Sequence, residues 1–140
     1  MLSCSGQPAE DQLRSVANEG CHVIINLGLT DGKYALTDEA NTVKALGMAY
    51  HHIPVKFDSP QIDDLITFIA VMDKRTNEKT LVHCAANYRA SCFTGLYLLS
   101  VGEMNEEEMT AFIEGVWQPD SVWEDFVEQG VEYIRLNRTT

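Results

Sequence analysis

No run of apolar residues in this chain approaches the roughly 20 that a membrane-spanning helix requires. Its start, MLSCSGQPAEDQL, also lacks the basic-then-apolar order of a secretory leader. The expectation is a cytoplasmic protein with no membrane partner. Basic residues are scarce: 10 Lys and Arg stand against 21 Asp and Glu, for a net charge of −11. Such a surface repels a nucleic-acid backbone, and no basic stripe offsets it, so nucleic acid is not expected as a partner. An acidic chain still binds a single phosphate where backbone N–H groups and one Arg converge. Cysteine is sparse too. Cys4, Cys21, Cys84 and Cys92 include no C-x-x-C pair, which argues against a zinc ribbon or a thioredoxin motif. Free thiols in a reducing compartment fit this count better than a disulfide framework. Cys21 and Cys92 sit among apolar neighbours and read as buried small hydrophobes. Repeats and low-complexity tracts are absent.

What is present is a globular composition, 45% hydrophobic and 22% charged over 140 residues. That length suits a single domain over residues 1–140. Short apolar β-like runs alternate with helix-like segments, the pattern of an α/β fold with a largely parallel central sheet flanked by helices. Pro8 to about Gly20 reads as a helix, with Pro in the first turn and Gly as the stop. Cys21–Leu27 reads as a strand apolar enough to be buried on both faces. Thr37-Asp-Glu opens a second helix that ends at Gly47, and Tyr50–Val55 is a strand that Pro54 places at an edge or at its end. Ser59-Pro60 opens a third helix, with Ser as N-cap and Ile62, Leu65, Ile66 and Ile69 as its apolar stripe. Thr80–His83 is a short buried strand, followed by a helix through about Leu99. Asn105 caps the next helix, and Ser121-Val-Trp-Glu124 reads as the capping box of the last. The expected order is α–β–α–β–α–β–loop–α–α–α.

The stretch Leu81-Val-His-Cys-Ala-Ala-Asn-Tyr-Arg-Ala-Ser91 carries the chemistry. A buried strand ends at His83, Cys84 follows at once, and a helix begins within about one turn of Arg89. This puts the Cys84 sulfur at the C-terminal edge of a parallel sheet, where open α/β folds place ligands. The free N–H groups of the loop and of the helix N-terminus converge there and favour a thiolate. The same cradle suits the oxygens of a phosphoryl group, held by the amides of Ala85, Ala86, Asn87, Tyr88, Arg89 and Ala90. Arg89 adds a planar bidentate clamp that Lys does not reproduce. An Arg at a helix N-terminus opposes the dipole, which itself points to an anion partner.

This segment resembles the signature loop of the protein tyrosine and dual-specificity phosphatase superfamily, in which His-Cys is followed by five residues and then Arg-Ser/Thr. The upstream order of VIINLG, an acidic stretch, YHHIPV and an apolar helix is similar to a small dual-specificity phosphatase core. The opening SGQP, the HCAANYRAS loop and the later WQPD resemble the bacterial beta-lactamase-hydrolase-like phosphatases. The resemblance implies a phosphatase fold, a phosphocysteine at Cys84, and a phosphorylated protein or small phosphate ester as substrate, with no metal or cofactor. It also implies a general acid on a separate loop, for which Asp58 is the candidate and Asp63 and Asp64 the reserves. One departure stands out. Only four residues separate Cys84 from Arg89. Aligned without a gap, Asn87 falls on the family's usual Gly, and Asn tolerates the same left-handed backbone. Ser91 falls on the Ser/Thr that hydrogen-bonds the nucleophile. Either the loop closes on a shorter turn, or Arg89 approaches from another angle.

Blander roles stand beside these. His83 fits a support that holds loop carbonyls better than a base. His51 and His52 are neighbours on a strand, so they face opposite sides and do not share a metal. Trp117-Gln-Pro-Asp120 echoes an acid loop but lies after the nucleophile, and it reads as a helix–helix corner anchored by Trp117 and Trp123. Two other functions compete. A rhodanese-like sulfurtransferase also spaces Cys and Arg by four residues, although the chain has no Asp-Val-Arg or Gly-His-Ile-Pro-Gly-Ala segment. A phosphate- or phosphopeptide-binding pseudophosphatase would use the same loop without turnover.

Overall fold

The computed structural model describes residues 2–32 and 35–137. In chain order the elements are β1 (Leu2–Ser5), α1 (Glu10–Asn18), β2 (Val23–Asn26), α2 (Glu39–Ala45), β3 (Ala49–His52), α3 (Ile62–Asp73), β4 (Thr80–His83), α4 (Tyr88–Ser100), α5 (Glu106–Glu114) and α6 (Ser121–Asn137). The four strands form one wholly parallel sheet in the order β1-β4-β2-β3. The α/β class and the parallel sheet agree with the sequence reading.

Four points differ. Helix α1 starts at Glu10 with Ala9 at its N-cap, so Pro8 lies just outside the first turn. The first strand was not expected. Leu2-Ser-Cys-Ser5 has no β-branched residue and alternates over only four positions, with Leu2 and Cys4 against the core, and it becomes a strand by pairing with β4, Leu2 opposite Thr80 through Ser5 opposite His83. Helix α3 begins at Ile62 with Gln61 at its N-cap, so Ser59-Pro60 lies outside the helix. Finally, the cap of α6 is Asp120, whose Oδ1 accepts the Trp123 N–H at 2.9 Å. Ser121 is therefore the first helical residue, one position inside the expected cap.

Alternation along the strands divides the core in two. Val23, Ile25, Leu27, Val82 and Cys84 face the side covered by α3, α4, α5 and α6, with Phe68, Phe93, Trp123 and Phe126. Ile24 and Leu81 face the other side with Leu13 of α1 and Val43 of α2. Phe93 stacks on Phe126 with centroids 5.4 Å apart and meets the edge of Phe68 at 5.5 Å. Truncating one of these rings to Ala costs about 3–5 kcal/mol. Because the strands are parallel, Ser5, Asn26, His52 and His83 end at one edge of the sheet, with His83 between Ser5 and Asn26. Strand β3 is an outer strand, and Pro54 lies just past its end.

Candidate active site

The loop after β4 is closed from below by the chain after β1. The Cys84 N–H donates to Ser5 O at 3.4 Å, and the Gln7 N–H donates to Ala85 O at 3.1 Å. Between them, Gly6 pairs with Ala86 in an antiparallel bridge. A Cβ at Gly6 would stand 2.9 Å from the Ala85 carbonyl oxygen, so the close approach needs glycine. The sequence fragment SGQP is thus the brace of the Cys84 loop.

The loop turns into α4 through Asn87, whose φ of 71° is left-handed. Consecutive amides on either side of such a residue form a concave anion nest. The Ala90 N–H, in the first turn of α4, donates to Cys84 Sγ at 3.4 Å. Cys84 is 1% exposed. Ser91 N–H is taken by Asn87 O at 2.9 Å, and the Ser91 hydroxyl donates to Tyr88 O at 2.7 Å. Ser91 therefore secures the loop's exit and has no bond to the sulfur here. Beneath the loop, Cys4 lies against the Asn87 and Thr94 side chains, and burial pushes its thiol pKa up.

Arg89 is 8% exposed. Its Nη1 donates to Val55 O at 2.7 Å, a bond from a charged donor worth about 1.5–3 kcal/mol. Its Nε is buried with no partner among the described residues. An unpaired guanidinium N–H beside the Cys84 loop is a donor suited to an anion. The same side chain lies 6.0 Å from the Phe57 ring centroid.

Phe57 belongs to the segment 55–60, which carries Asp58. It meets Trp117 at 5.7 Å and Trp123 at 5.9 Å, and Trp123 Nε1 donates to Phe57 O at 2.7 Å. Tyr88 stacks on Trp117 with centroids 4.5 Å apart and planes 9° from parallel. Trp117-Gln-Pro-Asp120 is therefore a corner whose Trp117 buttresses both loops. Asp58 itself is exposed, with the Ser59 hydroxyl 3.4 Å from its Oδ1. Asp63 and Asp64 lie in the first turn of α3, where partial burial pushes the Asp64 carboxyl pKa up.

His83 points away from Cys84, because consecutive strand residues face opposite sides. Its Nε2 lies 2.7 Å from Glu39 Oε2, with both side chains buried. It therefore engages a carboxylate, where a contact with loop carbonyls had been expected. Gln7 Nε2 donates to the other oxygen of Glu39 at 2.8 Å. Glu39 and Gln7 were not among the sequence candidates. Glu39 read as an ordinary acid at a helix start, and only the need of a buried His83 for a partner could have pointed to it. His51 and His52 do diverge: one meets Arg75, the other Gly28 O. Among the described residues no group of three His, Cys, Asp or Glu could hold a metal ion, and no helix is long and apolar enough to cross a membrane.

No family model matches the chain. A solved structure from Shewanella putrefaciens CN-32, a phosphatase candidate of the DUF442 family, is 33% identical. It covers 94% of this chain and 86% of its own at a TM-score of 0.84. The kinase associated phosphatase KAP, solved with its catalytic-site cysteine replaced by serine, shares the fold at 13% identity. There the TM-score is 0.83, over 96% of this chain and 87% of that one. Among curated proteins, the beta-lactamase hydrolase-like protein of Xylella fastidiosa is 30% identical over 113 residues. These are 79% of this chain and 26% of that protein, so the chain spans about a quarter of the length of the curated relatives it matches.

Proposed function

Because this chain belongs to the DUF442 family and has the protein tyrosine and dual-specificity phosphatase fold, we propose that it hydrolyses phosphate monoesters through a phosphocysteine at Cys84. The observation that carries this reading is the Ala90 N–H bonded to Cys84 Sγ at 3.4 Å in the first turn of α4, with the Arg89 side chain buried in the same turn. A helix N-terminal amide on the sulfur and a guanidinium from the same helical turn favour both a thiolate and a bound phosphoryl group.

In the first step the Cys84 thiolate attacks phosphorus, and the bond from phosphorus to the ester oxygen breaks. Amides of the 85–90 stretch and the Arg89 fork stabilise the equatorial oxygens. Asp58 supplies the proton that the leaving oxygen takes up. In the second step water attacks the phosphocysteine, releasing inorganic phosphate and returning the thiolate, while Asp58 takes a proton from that water. Ser91 contributes by fixing the Tyr88 carbonyl at the loop's exit. Substrates in reach are phosphorylated proteins and small phosphate esters.

The test is release of phosphate from an aryl phosphate by wild type and Cys84→Ser, without added metal, beside a thiosulfate-to-cyanide sulfur-transfer assay. Release by the wild type and none by Cys84→Ser is the expected outcome. Sulfur transfer without phosphate release would reassign the loop to persulfide chemistry. Silence in both, with vanadate still bound, would make it a binding module.

A further inference from the structure

Glu39 is a carboxylate buried to 5% exposure. It opens a helix of seven residues, and the left-handed backbone of Asp38, φ 58°, turns the chain into it. A buried carboxylate is tolerated only where donors meet its oxygens. Here each oxygen has one, His83 Nε2 at 2.7 Å and Gln7 Nε2 at 2.8 Å. Both partners adjoin the Cys84 loop. His83 precedes Cys84 in the chain, and the Gln7 N–H holds Ala85 O at 3.1 Å beside the Gly6–Ala86 bridge. One carboxylate thus ties the end of β4 to the segment after β1, the two stretches of backbone that carry and brace the loop.

We propose that Glu39 is a positioning residue for this loop: through His83 and Gln7 it sets where the Cys84 sulfur stands relative to the loop amides, touching neither sulfur nor substrate. The inference rests on the reading of the loop as a phosphoryl site. Two donors converging on two oxygens require a group that only accepts. An amide in its place turns an NH2 toward one of the donors, whichever way it is rotated. His83 cannot absorb the change by moving its proton, because Nδ1 is buried with no partner among the described residues and would become an orphaned N–H. Gln7 can meet the new NH2 only by turning its own amide, which gives up its bond to Pro8 O at 3.0 Å. Glu39→Gln therefore costs the brace one bond while keeping shape and volume. A displacement of about 1 Å in a reacting group costs on the order of 100-fold in rate.

The experiment compares wild type and Glu39→Gln in the full chain by thermal unfolding, aryl phosphate kinetics and the rate of Cys84 alkylation by iodoacetamide at pH 7. The expected result is a folded variant whose Cys84 alkylation rate changes several-fold and whose kcat falls about 10- to 100-fold with KM little altered. An alkylation rate equal to wild type overturns the proposal whatever kcat does. Failure of the isosteric variant to fold also overturns it, since Glu39 would then be a folding residue. If the wild type releases no phosphate, the phosphatase reading falls, and the alkylation rate alone still decides for or against Glu39.

Discussion

The two loops that meet at the C-terminal edge of the sheet are held in opposite ways. The Cys84 loop is pinned by a backbone bond to Ser5 O and another from the Gln7 N–H, by the Gly6–Ala86 bridge and by the first turn of α4, and its sulfur is buried. The segment 55–60 is fastened at Val55, whose N–H donates to Leu27 O and whose carbonyl accepts from Arg89, and at Phe57, whose carbonyl accepts from Trp123, and its candidate acid Asp58 is exposed. The contrast divides the proposed chemistry. The half that must bind charge is preorganised, whereas the half that must deliver a proton is presented on a short strap between two fixed points. Arg89 joins the halves, with one nitrogen on the strap and Nε unpaired beside the cradle.

The largest expected effect therefore falls on Arg89. Arg89→Lys removes the planar fork and should lower kcat for an aryl phosphate about 10²–10³-fold. A loss below tenfold would mean that the guanidinium does not clamp the phosphoryl group. Asp58→Asn should cost about 10²-fold, more for an alkyl phosphate than for a nitrophenyl ester, because the poorer leaving group depends more on the proton. Equal losses on both esters would remove Asp58 from the acid role. Trp123→Phe unfastens one end of the strap by deleting the bond to Phe57 O. About 2–3 kcal/mol of stability should go with it, from the lost bond and the space left by a fully buried indole, read as a lower denaturant midpoint, with kcat reduced less than tenfold.

The smallest effect concerns Cys92, under the loop in α4. Burial pushes its thiol from 9.0 up to about 12. The native state keeps this proton where the unfolded chain has released it, so stability from this group is complete below about pH 9 and is lost as pH rises toward 12. Cys92→Ala should flatten the alkaline side of the stability curve relative to wild type. Denaturant titrations at pH 8 and pH 10 give the comparison.

The same contrast marks how far the sequence could be read. The Cys84 loop was legible because its parts are contiguous: a buried strand, His-Cys, a left-handed Asn87 and an Arg at a helix start. Strand β4 was read at its observed limits, Thr80–His83, for the same local reason. What lay beyond reach depends on distant residues. Leu2–Ser5 alternates over just four residues, too few to mark a strand without the partner that β4 offers. Glu39 and Gln7 are 32 positions apart, and no local signal marks either as part of one buried network. Ser59-Pro60 carries a strong helix-start signal, yet the strap continues through it, held by Trp123, and the helix starts at Ile62. Ser121 likewise yields its cap to Asp120.

The most direct test of the central claim is acid quench of the wild-type chain during turnover of an aryl phosphate, followed by mass analysis of the peptide carrying Cys84. The account predicts one added phosphoryl group on Cys84, absent from Cys84→Ser. Steady phosphate release under conditions where water attack is slowed, with Cys84 unmodified throughout, would contradict it.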